Sequence, residues 1–239
     1  MKRSRSLIIA AALVATLLPL PAQGAPVIGK ITKLIGTAQI LREPLPSPLT
    51  VTLGMPVHRH DTVRTGDDSR LRIELIDGSI MSLGERTDTT LDEFEFVPKK
   101  KRRFAFFKVA LGKVRLFARN LVRFRERDFK LRTPTAVLGV RGTLVLVWVQ
   151  SKTITKVVCL EGAIELANLA RPEDYVVLTK NLAADIIEDR APTTPILMTE
   201  EQLRELQREL EGVPTAPATT TTSTSTTTTL SGPPQPPEG

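Results

Sequence analysis

The sequence predicts an all-β fold: a sandwich or a rolled, solenoid-like antiparallel sheet, with a short C-terminal helix and a disordered tail. Three observations carry it. Arg70-Leu71-Arg72-Ile73-Glu74-Leu75 alternates polar and apolar side chains, as a strand with one buried face must, because successive side chains point to opposite faces. Thr143 to Val149 is almost wholly apolar, which suits a strand covered on both faces. Turn residues punctuate such short runs, and no regular alternation with helices supports a parallel α/β sheet.

The chain has 239 residues and both ends differ from the middle. Lys2, Arg3 and Arg5 precede a mostly apolar run, Leu7 to Leu18, and Ala22-Gln23-Gly24 places small residues where a signal peptidase cuts. The run is shorter than the roughly 20 apolar residues of a spanning helix. Residues 1–24 are therefore expected to be a signal peptide, and the mature protein to begin at Ala25, periplasmic, secreted or at the cell surface. No Cys follows closely, so no lipoprotein acceptor is expected.

Residues 25–190 form the expected β domain. Thr65-Gly66-Asp67-Asp68-Ser69 provides a bend before the alternating strand. Asp77-Gly78 follows that strand and suits a type I′ hairpin, with Ile80 to Leu83 returning. Leu71, Ile73, Leu75, Val145 and Val147 are the expected core. Pro134 biases Thr133 towards an extended backbone. Arg141-Gly142-Thr143 turns sharply into the apolar strand. Glu161-Gly162 turns between Thr153–Leu160 and Ala163–Leu166, and Tyr175 to Thr179 is the last strand. Residues 191–212 are read as a linker and short helix. Thr199 is the N-cap, Gln202 the capping-box partner, Met198 and Leu203 the staple, Gly212 the stop. Leu203, Leu206 and Leu210 make a narrow seam, expected to pack on the chain's own domain. Residues 213–239 are rich in Thr, Ser and Pro, which cannot bury enough apolar surface to offset chain entropy.

Candidate chemistry is sparse. Cys159 is the only cysteine, so no intramolecular disulfide forms; its apolar setting reads as a small buried hydrophobe. His58 and His60 would share one strand face, but two imidazoles are too few for zinc, which takes about three or four protein ligands. No metal, cofactor or catalytic constellation is expected. Aromatic content is only 4%, which disfavours stacking platforms for sugars or single-stranded nucleic acid.

The formal net charge is +7, and the cations cluster. Lys99, Lys100, Lys101, Arg102 and Arg103 run into Phe104, Phe106 and Phe107, with Arg119, Arg123, Arg125 and Arg127 beyond. Such a segment suits an anionic membrane surface or an acidic envelope component; it equally suits a solvated loop. Nucleic acid is not expected as a partner, because export removes it and no recognition motif accompanies the charge. Arg141, within a mostly apolar segment, needs a salt bridge or a boundary position. It locks its loop or contacts an anion.

The stretch Thr62 to Glu85, TVRTGDDSRLRIELIDGSIMSLGE, resembles the FecR domain pattern, and Leu111 to Arg115 with Arg132 to Thr143, RTPTAVLGVRGT, is very similar to its most recognisable block. Val158 to Leu166 resembles the hairpin after it. The resemblance implies an extracytoplasmic β-rich module. In familiar members the domain hangs from a transmembrane helix, a cytoplasmic arm controls a sigma factor, and the periplasmic part touches an outer-membrane transporter. Here the N-terminus reads as a signal peptide with no room for that arm. The expected function is a non-catalytic interaction or signalling module binding a protein or envelope component. The alternative is a membrane-surface or cell-wall-associated structural protein using the basic segment. The candidate binding residues are Lys99, Lys100, Lys101, Arg102, Arg103, Phe104, Phe106, Phe107 and Arg141.

Overall fold

Period-two alternation and glycine-bearing turns shape the computed structural model, which describes residues 25–208 and Leu210. The expected signal peptide, the expected Gly212 stop and the Thr/Ser/Pro tail lie outside the described residues. In order the elements are β1 (Val27–Ile35), β2 (Ala38–Leu41), β3 (Leu49–Thr50), β4 (Pro56–His58), β5 (Thr62–Thr65), β6 (Arg70–Leu75), β7 (Ile80–Leu83), β8 (Asp88–Val97) and β9 (Arg102–Phe117). Then come β10 (Glu126–Arg132), β11 (Ala136–Val140), β12 (Leu144–Val149), β13 (Ile154–Glu161), β14 (Ala163–Asn168), β15 (Tyr175–Thr179), β16 (Leu182–Ile187), β17 (Ile196–Leu197) and α1 (Glu200–Arg208).

Two facing layers result. The first runs β4-β1-β6-β7-β9-β12-β13-β16-β17. The second runs β3-β2-β5-β8-β9-β10-β11-β14-β15. β9 belongs to both: Arg102 to Leu111 pairs in the second layer, and Gly112 to Phe117 in the first. Gly112 makes the crossing at φ 91°. A Cβ there would come 2.5 Å from the Thr87 Cα, closer than real contacts. The described pairings are antiparallel except β9–β10, which is parallel.

The chain changes layer at corners, and the Glu161-Gly162 turn, read as a hairpin, is one of these corners instead. β13 pairs with β12 and β16, whereas β14 pairs with β11 and β15. Gly162 sits at φ 83° against Thr143. Local sequence marks a reversal but not which sheet receives the next strand. Arg141-Gly142-Thr143 likewise carries β11 over to β12. At Asp77-Gly78 the hairpin is real, but only Gly78 takes positive φ, 82°. The Gly78 amide donates to the Leu75 carbonyl at 2.9 Å. The turn is therefore the longer kind with one left-handed glycine, not type I′.

The core lies between the layers. Leu71, Ile73, Leu75, Val145 and Val147 are each 2% exposed or less. β12 explains its own uniformity: Val145, Val147 and Val149 face the main core. Leu144, Leu146 and Trp148 face outward into a second cluster with Met198, Leu203, Leu206 and Leu210. α1 covers that side. Its box closes in both directions: the Gln202 amide donates to Thr199 Oγ1 at 3.2 Å, and the Thr199 amide to Gln202 Oε1 at 2.9 Å. The leucine seam packs on its own domain, as its narrowness suggests.

Candidate functional site

Strand alternation divides the basic segment before any partner is considered. Pro98 to Lys100 forms a single 3-10 turn between β8 and β9, and Lys101 closes it at φ 52°. Lys99, Lys100 and Lys101 are exposed on this turn. From Arg102 the extended backbone sends alternate side chains out and in. Arg102, Phe104 and Phe106 lie on the outer face, half-buried, whereas Arg103 and Phe107 are 1% and 0% exposed. Arg103 and Phe107 are therefore withdrawn from the candidate surface.

Arg103 has a structural duty. Its Nη1 donates to Asp77 Oδ2 at 2.9 Å, its Nη2 to the Arg127 carbonyl at 2.9 Å, and its guanidinium lies 5.1 Å from the Phe129 ring centre. Asp77 also accepts from the Ser79 amide and hydroxyl. A buried charge needs this degree of pairing. Phe107 meets Phe129 edge-on with centroids 5.4 Å apart. Arg102, by contrast, pairs on the surface with Glu95 at 2.5 Å and Glu126 at 3.5 Å.

The parallel β9–β10 pairing brings a second set of cations to the basic turn. The Arg125 amide donates to the Lys101 carbonyl at 2.9 Å. The connection over residues 118–125 therefore lies beside the turn, with Arg123, Arg125 and Val122 exposed. Val122 is 75% exposed. Lys99, Lys100, Lys101, Arg123 and Arg125 form one basic edge, and none makes an ion pair among the described residues. Phe124 stacks on Phe96 at 5.6 Å beneath it. Charge counting in the sequence contained both runs. Only the register showed that they meet.

Arg141 stands on the corner beside this connection, where Gly142 packs against Asn120. Its side chain is 72% exposed and 3.8 Å from the half-exposed Asp128 carboxylate. The loop-locking reading of Arg141 is therefore corrected, because a corner puts the side chain in water despite apolar neighbours in sequence. Arg141, Asp128, Lys130, Gly139 and Glu165 border a shallow cleft of about 330 Å³ on the outer face of the second layer. Gly139 leaves it open, since a Cβ there would meet nothing within 4 Å.

His58 ends β4 and His60 lies in a turn at φ 71°, so the two do not share a strand face. Burial, then the charge of Arg42, holds the His58 pKa below its ordinary value. The adjacent Asp61 is fully buried and takes a two-pronged contact from Arg42, with both distances 2.8 Å. Among the described residues no three His, Cys, Asp or Glu side chains gather as metal ligands. Cys159 is fully buried, and burial pushes its thiol pKa up to about 11. No helix of the described residues is long and apolar enough to cross a membrane.

Residues 61–165 match the family described as FecR protein. No curated protein matches the chain. Two crystal structures of a candidate anti-sigma factor from Parabacteroides distasonis ATCC 8503 are similar in outline. One is 16% identical with TM-score 0.49, over 63% of this chain and 64% of that one. The other is 17% identical with TM-score 0.48, over 63% and 65%. The chain thus spans slightly under two thirds of those structures.

Proposed function

With residues 61–165 a FecR domain, we propose that this chain is a non-catalytic, extracytoplasmic interaction or signalling module that docks a protein or envelope component. The family match carries the reading. The signal-like N-terminus supports the compartment. The basic edge supports an acidic docking partner, because five exposed cations at one end of the sandwich attract anionic surfaces at long range and add contacts on arrival. The open cleft beside Arg141 is a second contact area on the same side.

An anionic membrane surface is the second reading, favoured by Val122, which stands in water among the cations. Each Lys or Arg near such a surface contributes about 1 kcal/mol. One experiment addresses both readings. The purified chain is incubated with an envelope extract, with anionic vesicles and with acidic polymer, at low and physiological salt. Capture should weaken as the screening length falls to about 8 Å. Changing Lys99, Lys100, Lys101, Arg123 and Arg125 to Ser should remove it while leaving Arg103 and the fold intact. Capture that is unchanged in the five-fold variant moves the docking surface elsewhere.

A further inference from the structure

Edge strands expose unpaired backbone groups and invite pairing, so soluble sheets usually blunt them. Among the described residues, three of the four sheet edges are short: β3 has two residues, β4 three and β17 two. β15 is the exception. It has five residues, Tyr-Val-Val-Leu-Thr, without a charge or a proline. It pairs with β14 on one side, and among the described residues no strand pairs with it on the other. Tyr175 and Val177 are 57% and 53% exposed on the outer face. Leu178 is fully buried and anchors the strand to the core.

The flanks say what fits against it. Asp174 precedes the strand and Lys180 follows it. If two copies of the strand pair antiparallel about Val177, Val177 meets its own mate, Tyr175 meets Thr179, and Asp174 meets Lys180 twice. This register is self-complementary in charge. Opposed pairs of this kind stabilise antiparallel strands, while like charges in the same positions oppose them. Asp174 has only a loose contact at home, 3.6 Å to the exposed Arg171.

We propose that β15 is a dimerisation edge, joining a second copy of this chain across a two-fold axis centred on Val177. The second layer then continues from one protomer into its partner. The interface is isologous and closes on itself, so it makes dimers and not fibres.

Sedimentation velocity of the full chain across micromolar to millimolar concentrations tests this. The expected result is a concentration-dependent monomer–dimer equilibrium. Val177→Lys puts like charges face to face at the axis and should leave a monomer with an unchanged far-UV spectrum. Lys180→Asp should raise the dimer Kd about tenfold, since two opposed pairs become repulsive. Adding Asp174→Lys to it should restore the dimer. Mild oxidation should link Val177→Cys into a covalent dimer, because directly opposed residues lie within disulfide reach. The exposed Gln39→Cys should not link. A parent that stays monomeric at every concentration overturns the proposal and leaves β15 to another segment or partner. A dimer that survives Val177→Lys, or a double charge swap without rescue, places the interface elsewhere and also overturns it.

Discussion

Arg103 and Arg141 carry the same group and contribute differently, because water reaches one and not the other. Arg103 is sealed against Asp77, so Arg103→Ala strands a buried carboxylate and should cost about 3–5 kcal/mol. Arg141→Ala removes a long contact between two exposed side chains and should change stability by less than about 1 kcal/mol. Urea unfolding of the two variants beside the parent measures both, and similar losses would refute the distinction. Cys159 gives a pH prediction. Burial lifts its folded pKa to about 11, above the ordinary value of 9.0. Below pH 9 the thiol is protonated in both states and has no effect. Between pH 9 and 11 the unfolded chain releases the proton and the folded chain keeps it. Stability should therefore fall as pH rises through that window, and less so in Cys159→Ala. At pH 8 the native thiol should resist a maleimide until denaturant is added. The sequence disclosed the cysteine's setting because apolar neighbours in a strand stay apolar neighbours in space. It misplaced Arg141 because a corner breaks that continuity.

At the level of elements, α1 is held by one capping box and one leucine seam. Its N-terminus was readable from Thr199 and Gln202, since the box is a local device. What it covers was not readable, since Leu146, Val158 and Ala183 come from three strands. Burial there carries a charge along: Arg115 donates to Gln207 Oε1 at 3.2 Å, and desolvation followed by the Arg72 charge lowers its pKa. Trp148 is the only tryptophan and sits beneath this cover, with the Lys113 ammonium 4.6 Å from its ring centre. Leu203→Asp should lift the helix, shift tryptophan emission to the red and preserve the β signal in circular dichroism. Thr199→Ala should loosen it by about 1 kcal/mol. An unshifted emission in Leu203→Asp would mean that the helix holds without its seam. Some strands were legible: β6, β7 and β15 begin and end where alternation and turn residues put them, but β15 is not the last strand, since β16 and β17 follow it. Their partners were not, because pairing is settled by contacts far apart in sequence.

For the molecule as a whole, the basic edge was half visible. The two cationic runs stand out in the sequence, but the parallel pairing that joins them leaves no local mark. Fold class was plain from period-two patterning, while the exchange between layers at every corner was hidden, because a glycine turn serves a hairpin and a corner equally well. β9 binds the assembly together, being the common strand of both layers, and Gly112 is its crossing point. Gly112→Ala forces a Cβ into Thr87 at positive φ and should cost about 3 kcal/mol. Thermal melting should show the whole transition moving as one; two separated steps would show that the layers unfold independently. The same sharing sets a timetable. A chain synthesised from its N-terminus delivers β7 and β8 before the strand that completes either of them. Both growing layers must then wait, apolar faces open, for one sixteen-residue stretch. Its arrival seals the two together, so the amides of β9 should be the last to exchange with solvent deuterium and should do so in unison.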